Sequence, residues 1–306
     1  MAENNVPKTI QVIDIDAYAP PQIADRIDKV AMVKAKLTFA QTFLLGILAG
    51  VYIAIGAQFA TFVTSDSGLH FGLTSMIAGI TFSLGLMLVV IAGAELFTGN
   101  CLIIMGYVSK RVTTGQMLNN WVVSYAGNLL GSLTMVCWMS QTHQWEFFHN
   151  MVGAKALLIA HTKVNLSFTT ALARGVLCNS MVCLAVWLCF SGRSVADKIF
   201  CIIFPIGGFV ASGFEHCVAN MYFIPMGIVL KKHPEIIDAA EKMAGKSLDL
   251  SLLTWKGFFI NNLIPVTLGN IVGGVILVGV MFWFVYLRPH INLSFSVKQD
   301  FFHEKK

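Results

Sequence analysis

The stretch Ala92-Gly-Ala-Glu-Leu-Phe-Thr-Gly-Asn100 decides how this chain folds, because it places the carboxylate of Glu95 in the middle of an apolar segment. That segment runs from Phe71 to Tyr107. A bilayer core about 30 Å thick is crossed by roughly 20 apolar residues of helix, so the segment is too long for one span. It is also too short and too apolar for two spans with a loop. The stretch therefore predicts a helix that is interrupted at mid-membrane, with irregular backbone enclosed by protein.

A second interruption of the same kind is predicted further along the chain. The apolar segment from Ile199 to Leu230 contains Ala211-Ser-Gly-Phe-Glu-His-Cys217, so Glu215 again lies near a glycine and close to the centre of its segment. Paired interruptions at corresponding positions are typical of transport proteins, in which the substrate passes between two repeats. The two stretches together predict a substrate path at the breaks.

The composition indicates that the whole chain is a membrane protein. Of its 306 residues, 56% are hydrophobic and 12% are charged, whereas soluble domains contain about 25% charged residues. The formal net charge of +5 is too small to give the basic face that tracks nucleic-acid phosphates. These values argue against a soluble enzyme and a nucleic-acid binder, and they predict a polytopic helical membrane protein.

Six hydrophobic segments can be recognised between the charged residues, and they form two sets of three. They are Leu37 to Ser65, Ser67 to Ser109, Val112 to Trp145, Val164 to Gly192, Ile199 to Leu230 and Gly257 to Leu287. Gly127-Asn-Leu-Leu-Gly131 matches Gly269-Asn-Ile-Val-Gly273, and Gly46-Ile-Leu-Ala-Gly50 matches Gly175-Val-Leu-Cys-Asn179, which indicates an internal duplication. Because each set has an odd number of spans, the second set must be inverted. We therefore expect an all-α membrane protein of six transmembrane helices in two inverted three-helix repeats.

The Lys and Arg residues predict the orientation. With both termini inside, thirteen of these residues fall in inner segments and seven in outer loops, as the positive-inside rule requires. Residues 1–36 are predicted to form a cytoplasmic segment. Within it, Ile23 and Ile27 recur at helical spacing among charges that include Asp25 and Asp28, which predicts an amphipathic helix at the cytoplasmic surface or against a neighbouring subunit. Residues 37–288 are predicted to be the transmembrane domain, and 289–306 a cytoplasmic tail.

Two ionisable side chains are candidates for handling an anion and a proton. Lys163 precedes the fourth segment, and an ammonium group at a pore mouth would concentrate anions. The alternative is an interfacial lysine whose charge reaches into water. His216 lies in the second break, and a histidine in a membrane can change its charge near neutral pH. The alternative is a neutral histidine that caps the broken helix.

For the other polar residues of the apolar segments, mainly structural roles are expected. Glu95 and Glu215 are expected to accept backbone N–H bonds at the breaks, with a proton relay as the alternative. Arg174 is expected at an interface or at the membrane boundary, with an anion contact as the alternative. Three amides are expected to bond between helices, with a place in the pore wall as the alternative: Asn128, Asn179 and Asn270.

Other chemistries lack their motifs in this sequence. It has no Asn-Pro dipeptide for aquaporin turns, no Walker loop or dinucleotide fingerprint, and no zinc-like spacing of Cys and His. Ser212 and His216 share one short break, whereas an intramembrane serine protease brings its Ser and His together from different helices. We therefore expect no enzyme activity, no metal site and no cofactor.

Five stretches together resemble the formate/nitrite transporter family, and the resemblance covers about residues 20 to 288. They are Gly93-Ala-Glu-Leu-Phe-Thr-Gly-Asn100, Lys163-Val164, Leu177-Cys-Asn179, Ala211-Ser-Gly-Phe-Glu-His216 with Ala219-Asn-Met221, and Asn262-Leu-Ile-Pro-Val-Thr-Leu-Gly-Asn270. The resemblance implies an aquaporin-like fold, a homopentamer with one pore in each subunit, and a bacterial-type cytoplasmic membrane. It also implies transport of small monovalent anions.

The resemblance further implies roles for single residues. It places His216 as the central polar group, Lys163 at the periplasmic vestibule, and a mobile loop at Leu96-Phe97-Thr98. Hydrophobic constrictions are implied for Leu86, Leu96, Phe97 and Phe209, and polar contacts along the path for Thr98, Asn179 and Asn270.

A physical argument then suggests how the anion crosses. A bare anion in a dry constriction meets a penalty of order tens of kcal/mol at low dielectric, and a neutral acid meets far less. We therefore expect the anion to be protonated near His216 and to cross as the acid, or to cross with a compensating charge on His216. Either route predicts largely electroneutral, proton-coupled permeation. Formate is the expected substrate, and nitrite or hydrosulfide is the alternative. A membrane-embedded regulatory or scaffold protein without transport is the alternative of a different class.

Overall fold

The computed structural model describes residues 16–288, and every regular element in this range is helical. The helices are α1 (Pro20–Lys34), α2 (Phe39–Val63), α3 (Phe71–Ala92), α4 (Phe97–Asn100), α5 (Ile104–Val108), α6 (Thr114–Gln141), α7 (Met151–Val164), α8 (Phe168–Ser191), α9 (Val195–Ala211), α10 (Cys217–Leu230), α11 (Pro234–Ala244), α12 (Ile264–Ile271) and α13 (Met281–Tyr286). Short 3-10 turns lie at Cys101–Ile103 and Gln144–Glu146, and π-helical stretches at Gly257–Leu263 and Val272–Val280. The predicted tail at 289–306 and residues 1–15 of the predicted N-terminal segment lie outside the described residues.

Five helices are long and apolar enough to cross a membrane, which confirms the all-α membrane architecture. They are α2, α3, α6, α8 and the continuous run Gly257–Tyr286. The remaining predicted segment, from Ile199 to Leu230, consists of the two shorter helices α9 and α10. The inverted order of the two halves stays a prediction.

Both predicted interruptions are present in the structure. After α3, Gly93 has a φ angle of 84°, and helix resumes at Phe97. After α9, Gly213 has a φ angle of 69°, and helix resumes at Cys217. A residue with a Cβ rarely adopts such angles, so glycine ends each helix without strain. Each break thus leaves a half-helix that begins inside the protein.

Glycines allow close helix crossings at equivalent places in the two halves. A Cβ on Gly131 would lie 2.0 Å from the carbonyl oxygen of Ile47, where α6 crosses α2. A Cβ on Gly273 would lie 2.1 Å from the carbonyl oxygen of Val176, where the last span crosses α8. Small residues permit such backbone approach between membrane helices. The shared crossing supports the duplication that the sequence matches indicate.

Helix α1 forms where the sequence predicts it and packs into the core. Ile23, Ile27 and Ala31 are buried, as the amphipathic pattern requires. Asp28 is also buried, at 2% exposure, although the pattern assigns it to the polar face. Its Oδ2 lies 2.8 Å from the guanidinium of Arg111, and this ion pair offsets the loss of hydration.

Candidate functional site

Four polar side chains at the second break form a hydrogen-bonded group, the Lys163 cluster (Lys163, Glu215, Asn220 and Asn262). Lys163 Nζ lies 2.8 Å from Glu215 Oε1. Asn220 and Asn262 donate to Glu215 Oε2 at 2.7 and 3.2 Å. Asn220 also donates to Asn262 Oδ1 at 2.7 Å, and Asn262 donates to the Lys163 carbonyl at 3.0 Å. The lysine that the sequence predicted as an anion attractor is therefore paired with a carboxylate.

The first break has the same arrangement, the Lys34 cluster (Lys34, Glu95, Asn100 and Asn120). Lys34 Nζ lies 2.6 Å from Glu95 Oε1, and Asn100 and Asn120 donate to Glu95 Oε2 at 2.7 and 3.3 Å. Asn100 donates to Asn120 Oδ1 at 2.9 Å, and Asn120 donates to the Lys34 carbonyl at 3.2 Å. Every bond of the Lys163 cluster thus has its counterpart at the other break.

The Lys34 cluster was missed by the sequence reasoning, which counted Lys34 only as an inner positive charge. The signal was present in the repeat spacing. Lys34 precedes Gly46 by twelve residues, as Lys163 precedes Gly175. A comparison of the two halves beyond their glycines would therefore have found the second lysine.

The glutamates bind side chains at the breaks rather than the backbone N–H groups expected from the sequence. The described hydrogen bonds to the carboxylates of Glu95 and Glu215 come from lysine and asparagine. A nearby cation stabilises a buried carboxylate more than a backbone amide does. Without the carboxylate, the positive charge of the lysine would have no negative partner.

Two asparagines satisfy the free backbone groups instead. The N–H of Phe97 donates to Asn128 Oδ1 at 3.0 Å, and the N–H of Cys217 donates to Asn270 Oδ1 at 2.9 Å. Each amide group donates in turn to two backbone carbonyls, including that of the glutamate in the same break, at 2.8 to 3.0 Å. Both side chains thus bond between helices and hold the irregular backbone in place.

His216 and Thr98 join the two breaks at the centre of the protein. His216 Nε2 lies 2.9 Å from Thr98 Oγ1, and both residues are buried. His216 Nδ1 accepts the N–H of Ala219 at 3.1 Å, so the side chain caps α10. Because Nδ1 is an acceptor, the neutral imidazole carries its proton on Nε2. His216 therefore caps the helix and also presents an N–H donor.

Asn179 supports Thr98 from the side of α8. Its Nδ2 donates to the Thr98 carbonyl at 3.2 Å and to the Asn270 carbonyl at 2.7 Å. The Sγ atom of Cys183 lies 3.4 Å from the same Thr98 carbonyl. The predicted residues Thr98, Asn179 and Asn270 are thus brought together with His216 in one bonded group.

The predicted constriction residues make separate contacts. Phe209 stacks on His216 with ring centroids 6.0 Å apart, and it packs edge-on against Phe82 at 5.8 Å. Phe97 packs edge-on against aromatic rings of α6. Leu86 and Leu96 are buried in the core. The described ring contacts therefore link Phe209 to the histidine and Phe97 to α6.

A chamber of about 400 Å³ reaches His216, and it is lined by Lys155, Lys163, Arg174, Phe209 and Glu215 among others. The Lys34 side has a cavity of about 30 Å³, which α1 lines with Ile27 and Ala31. A cavity needs about 10–15 Å³ to hold one water molecule on this measure. The chamber can therefore hold a small hydrated anion, whereas the smaller cavity cannot.

The two half-helices both begin near the centre. Leu96 precedes the first, Phe97–Val108, and His216 precedes α10. The N-terminus of a helix carries partial positive charge from its free N–H groups. Because Thr98 and His216 are in contact, the two N-termini favour an anion at the same place.

Comparisons with known proteins agree with this architecture. Residues 21–284 match the family described as formate/nitrite transporter. The formate channel FocA of Escherichia coli (strain K12) is 42% identical over 278 residues, which cover 90% of this chain and 96% of that protein. The formate channel FocA of Haemophilus influenzae is 43% identical over 267 residues, which cover 86% of this chain and 93% of that protein.

A solved structure gives the same result in three dimensions. It is described as a pentameric formate channel with formate bound, and it is 42% identical to this chain with a TM-score of 0.72. The match covers 82% of this chain and 98% of that one. The resemblance inferred from the five sequence stretches is thereby confirmed, and the family is one of transporters rather than enzymes. The chain belongs to the formate/nitrite transporter family.

Proposed function

We propose that this protein conducts formate across a membrane through a pore in each subunit, with nitrite or hydrosulfide as the alternative substrate. The contact between His216 and Thr98, where the two half-helices meet at the end of the chamber, is the observation that carries the proposal. The names of the relatives, which are formate channels, support the choice of substrate.

The anion enters through the chamber and stops at His216. Lys163 contributes to its attraction, but the pairing with Glu215 makes the two groups a local dipole rather than a free charge. The N-termini of the half-helices and the Nε2–H of His216 supply the remaining attraction. Thr98 offers a hydroxyl beside the imidazole, so a carboxylate oxygen can exchange partners there.

Permeation past the centre is proton-linked. His216 stays neutral while its Nδ1 accepts the Ala219 N–H, because a second hydrogen on Nδ1 would displace that bond. A neutral histidine leaves an anion uncompensated among the rings of Phe209 and Phe82. Formate therefore takes a proton beside His216 from a hydronium ion that reaches the chamber from the outer solution, which leaves a water molecule, and it crosses as formic acid. One proton crosses with each anion, and uptake becomes faster as the pH falls.

The protein acts as a homopentamer in the lipid bilayer of a bacterial-type cytoplasmic membrane. The pentamer described for the similar channel structure supports the oligomeric state. The distribution of Lys and Arg supports cytoplasmic termini, with segment 1–36, domain 37–288 and tail 289–306 arranged as the sequence predicts.

Radiolabelled formate uptake into proteoliposomes, at two pH values and with nitrite and hydrosulfide as competitors, tests the proposal. We expect faster uptake at the lower pH and little current in planar bilayers. A current that scales one-for-one with formate flux would reject proton coupling. No uptake of any of these anions would reject transport and favour the scaffold alternative.

The variant His216→Phe tests the central group directly. We expect a folded protein in which the dependence of uptake on pH is changed, because without the Nε2–H donor formate is no longer held at the place where it takes up its proton. His233→Phe is the matched control, since His233 precedes α11 and is not among the residues that line the chamber. An unchanged pH profile in His216→Phe would remove His216 from the mechanism.

A further inference from the structure

We propose that Arg174 binds planar anions with two oxygens in the chamber, and that it favours formate and nitrite over hydrosulfide. The inference rests on the proposed function, since it concerns the selectivity of the same path. It starts from the charges of the chamber. Lys155, Lys163 and Arg174 line it, together with the single carboxylate of Glu215.

The charge of Lys163 is already compensated by Glu215 at 2.8 Å. Within residues 16–288, Lys155 and Arg174 are in none of the ion pairs. These two residues are therefore the cations that give the chamber its excess positive charge. An excess of one sign in a concave site raises the local concentration of anions.

Arg174 is held at the rim of the second break. Its backbone carbonyl accepts the N–H of Glu215 at 3.3 Å, and its Nη1 lies 3.4 Å from the carbonyl oxygen of Gly213. These two contacts place the guanidinium on the stretch that leads to His216. A guanidinium has five N–H donors, so this one contact leaves the others for a ligand.

The other half of the molecule shows that the fold does not need a cation at this position. The N–H of Glu95 donates to the carbonyl of Leu45 at 3.2 Å, the same bond that Glu215 makes to Arg174. Leu45 thus occupies the equivalent position with an apolar side chain. The break is formed with either residue, so the charge of Arg174 is additional to the framework.

The shape of the guanidinium determines which anion Arg174 binds most tightly. Its planar fork matches two oxygens of one anion through parallel N–H···O bonds. Formate and nitrite each present two such oxygens, whereas hydrosulfide presents one sulfur. Lys155 is a point charge and attracts all three without regard to shape.

Competition between formate and hydrosulfide uptake in proteoliposomes tests the inference. In Arg174→Lys, which keeps the charge, we expect the half-saturating concentration of formate to rise about two- to fivefold, the range measured for exposed ion pairs, while that of hydrosulfide stays unchanged. In Arg174→Leu, which introduces the residue found at the equivalent position Leu45, we expect the half-saturating concentrations of formate and of hydrosulfide both to rise. In Lys155→Met, we expect the two concentrations to rise in the same proportion.

A formate-to-hydrosulfide ratio that Arg174→Lys leaves unchanged would overturn the inference. Wild-type protein that takes up no formate would instead overturn the proposed function, so the two failures are distinguishable. Size-exclusion elution and thermal unfolding in detergent verify that each variant is folded. Arg174→Lys keeps the backbone bond to Glu215 and is the decisive variant if Arg174→Leu does not fold.

Discussion

Every hydrogen bond of the Lys163 cluster recurs in the Lys34 cluster, which has one more, from Lys34 Nζ to Asn100 Oδ1 at 3.0 Å, but the two clusters have different surroundings. The Lys163 cluster faces a chamber of about 400 Å³, whereas the Lys34 cluster faces a cavity of about 30 Å³ that α1 lines. Hydrogen bonds that both breaks share cannot explain properties that only the second break has. The clusters are therefore the framework of the breaks, and the proposed selectivity and proton coupling must come from residues that differ between the halves.

Two such differences lie beside the chamber. The first half-helix is preceded by Leu96, and the second by His216. The backbone acceptor of the glutamate N–H is Leu45 in the first half and Arg174 in the second. His216 and Arg174 thus line the chamber, whereas Leu96 and Leu45 are not among its lining residues.

Removing one carboxylate is expected to give the largest loss of stability. In Glu215→Ala, Lys163 is left without compensation, and breaking a buried ion pair costs about 3–5 kcal/mol. We expect a smaller loss for Glu95→Ala, because the Lys34 side chain is 29% exposed and that of Lys163 is 14% exposed. Unfolding free energies in detergent check this order. A larger loss in Glu95→Ala would show that the exposure of the lysine does not determine the cost of removing its carboxylate partner.

Filling the helix crossings is expected to have the next largest effect, equal in both halves. Gly131→Ala and Gly273→Ala each place a methyl group against a backbone carbonyl, and overpacking of this kind costs about 1–3 kcal/mol. Gly207→Ala is the matched control, since the nearest atom to its Cβ would be 3.9 Å away. Thermal unfolding measures all three. Tolerance of one crossing variant and not the other would argue against the duplication.

Thr98→Val makes the two half-helices alike, because Val218 stands at the equivalent position. The His216 Nε2–H then loses its partner, but water from the chamber can replace it. We therefore expect the free energy of unfolding to fall by about 0.5–1.5 kcal/mol, the contribution of one ordinary hydrogen bond, and formate uptake to become slower. Thr98→Ser keeps the hydroxyl and should retain the wild-type rate. Equal rates in both variants would show that the hydroxyl is not used.

The smallest expected difference in the free energy of unfolding is between variants at the starts of α3 and α9. Ser194 caps α9 by accepting the N–H of Asp197 at 3.1 Å, whereas His70 precedes α3 without a side-chain cap. Ser194→Ala should therefore lower the free energy of unfolding by about 0.5–1 kcal/mol, and His70→Ala should lower it by less. Denaturant midpoints of the two variants compare them. An equal cost for both would mean that the cap does not stabilise α9.

The breaks could be predicted from the sequence because their signal is local. A glycine followed two residues later by a glutamate, inside a segment too long for one span, marks both of them. The family motifs likewise identified His216 and Thr98, which the structure brings together.

The partners of the charges could not be predicted in the same way. Glu95 and Lys34 are 61 residues apart, and no local pattern encodes their contact. The burial of Asp28 was missed because periodicity counts every charge as exposed, whereas Arg111 compensates it from another segment. Ion pairs between distant segments depend on packing, which a single sequence does not display.

The asparagine bonds have a consequence for the order in which the chain enters the bilayer. The N–H of Phe97 depends on Asn128, and the N–H of Cys217 depends on Asn270, so each break is completed by a later span of its own half. An unsatisfied backbone group costs several kcal/mol in hydrocarbon. Until α6 leaves the translocon, the first break is therefore incomplete and must wait in a wet or chaperoned site. The contact between Thr98 and His216 joins the halves, so it can form only after His216 has also entered the bilayer.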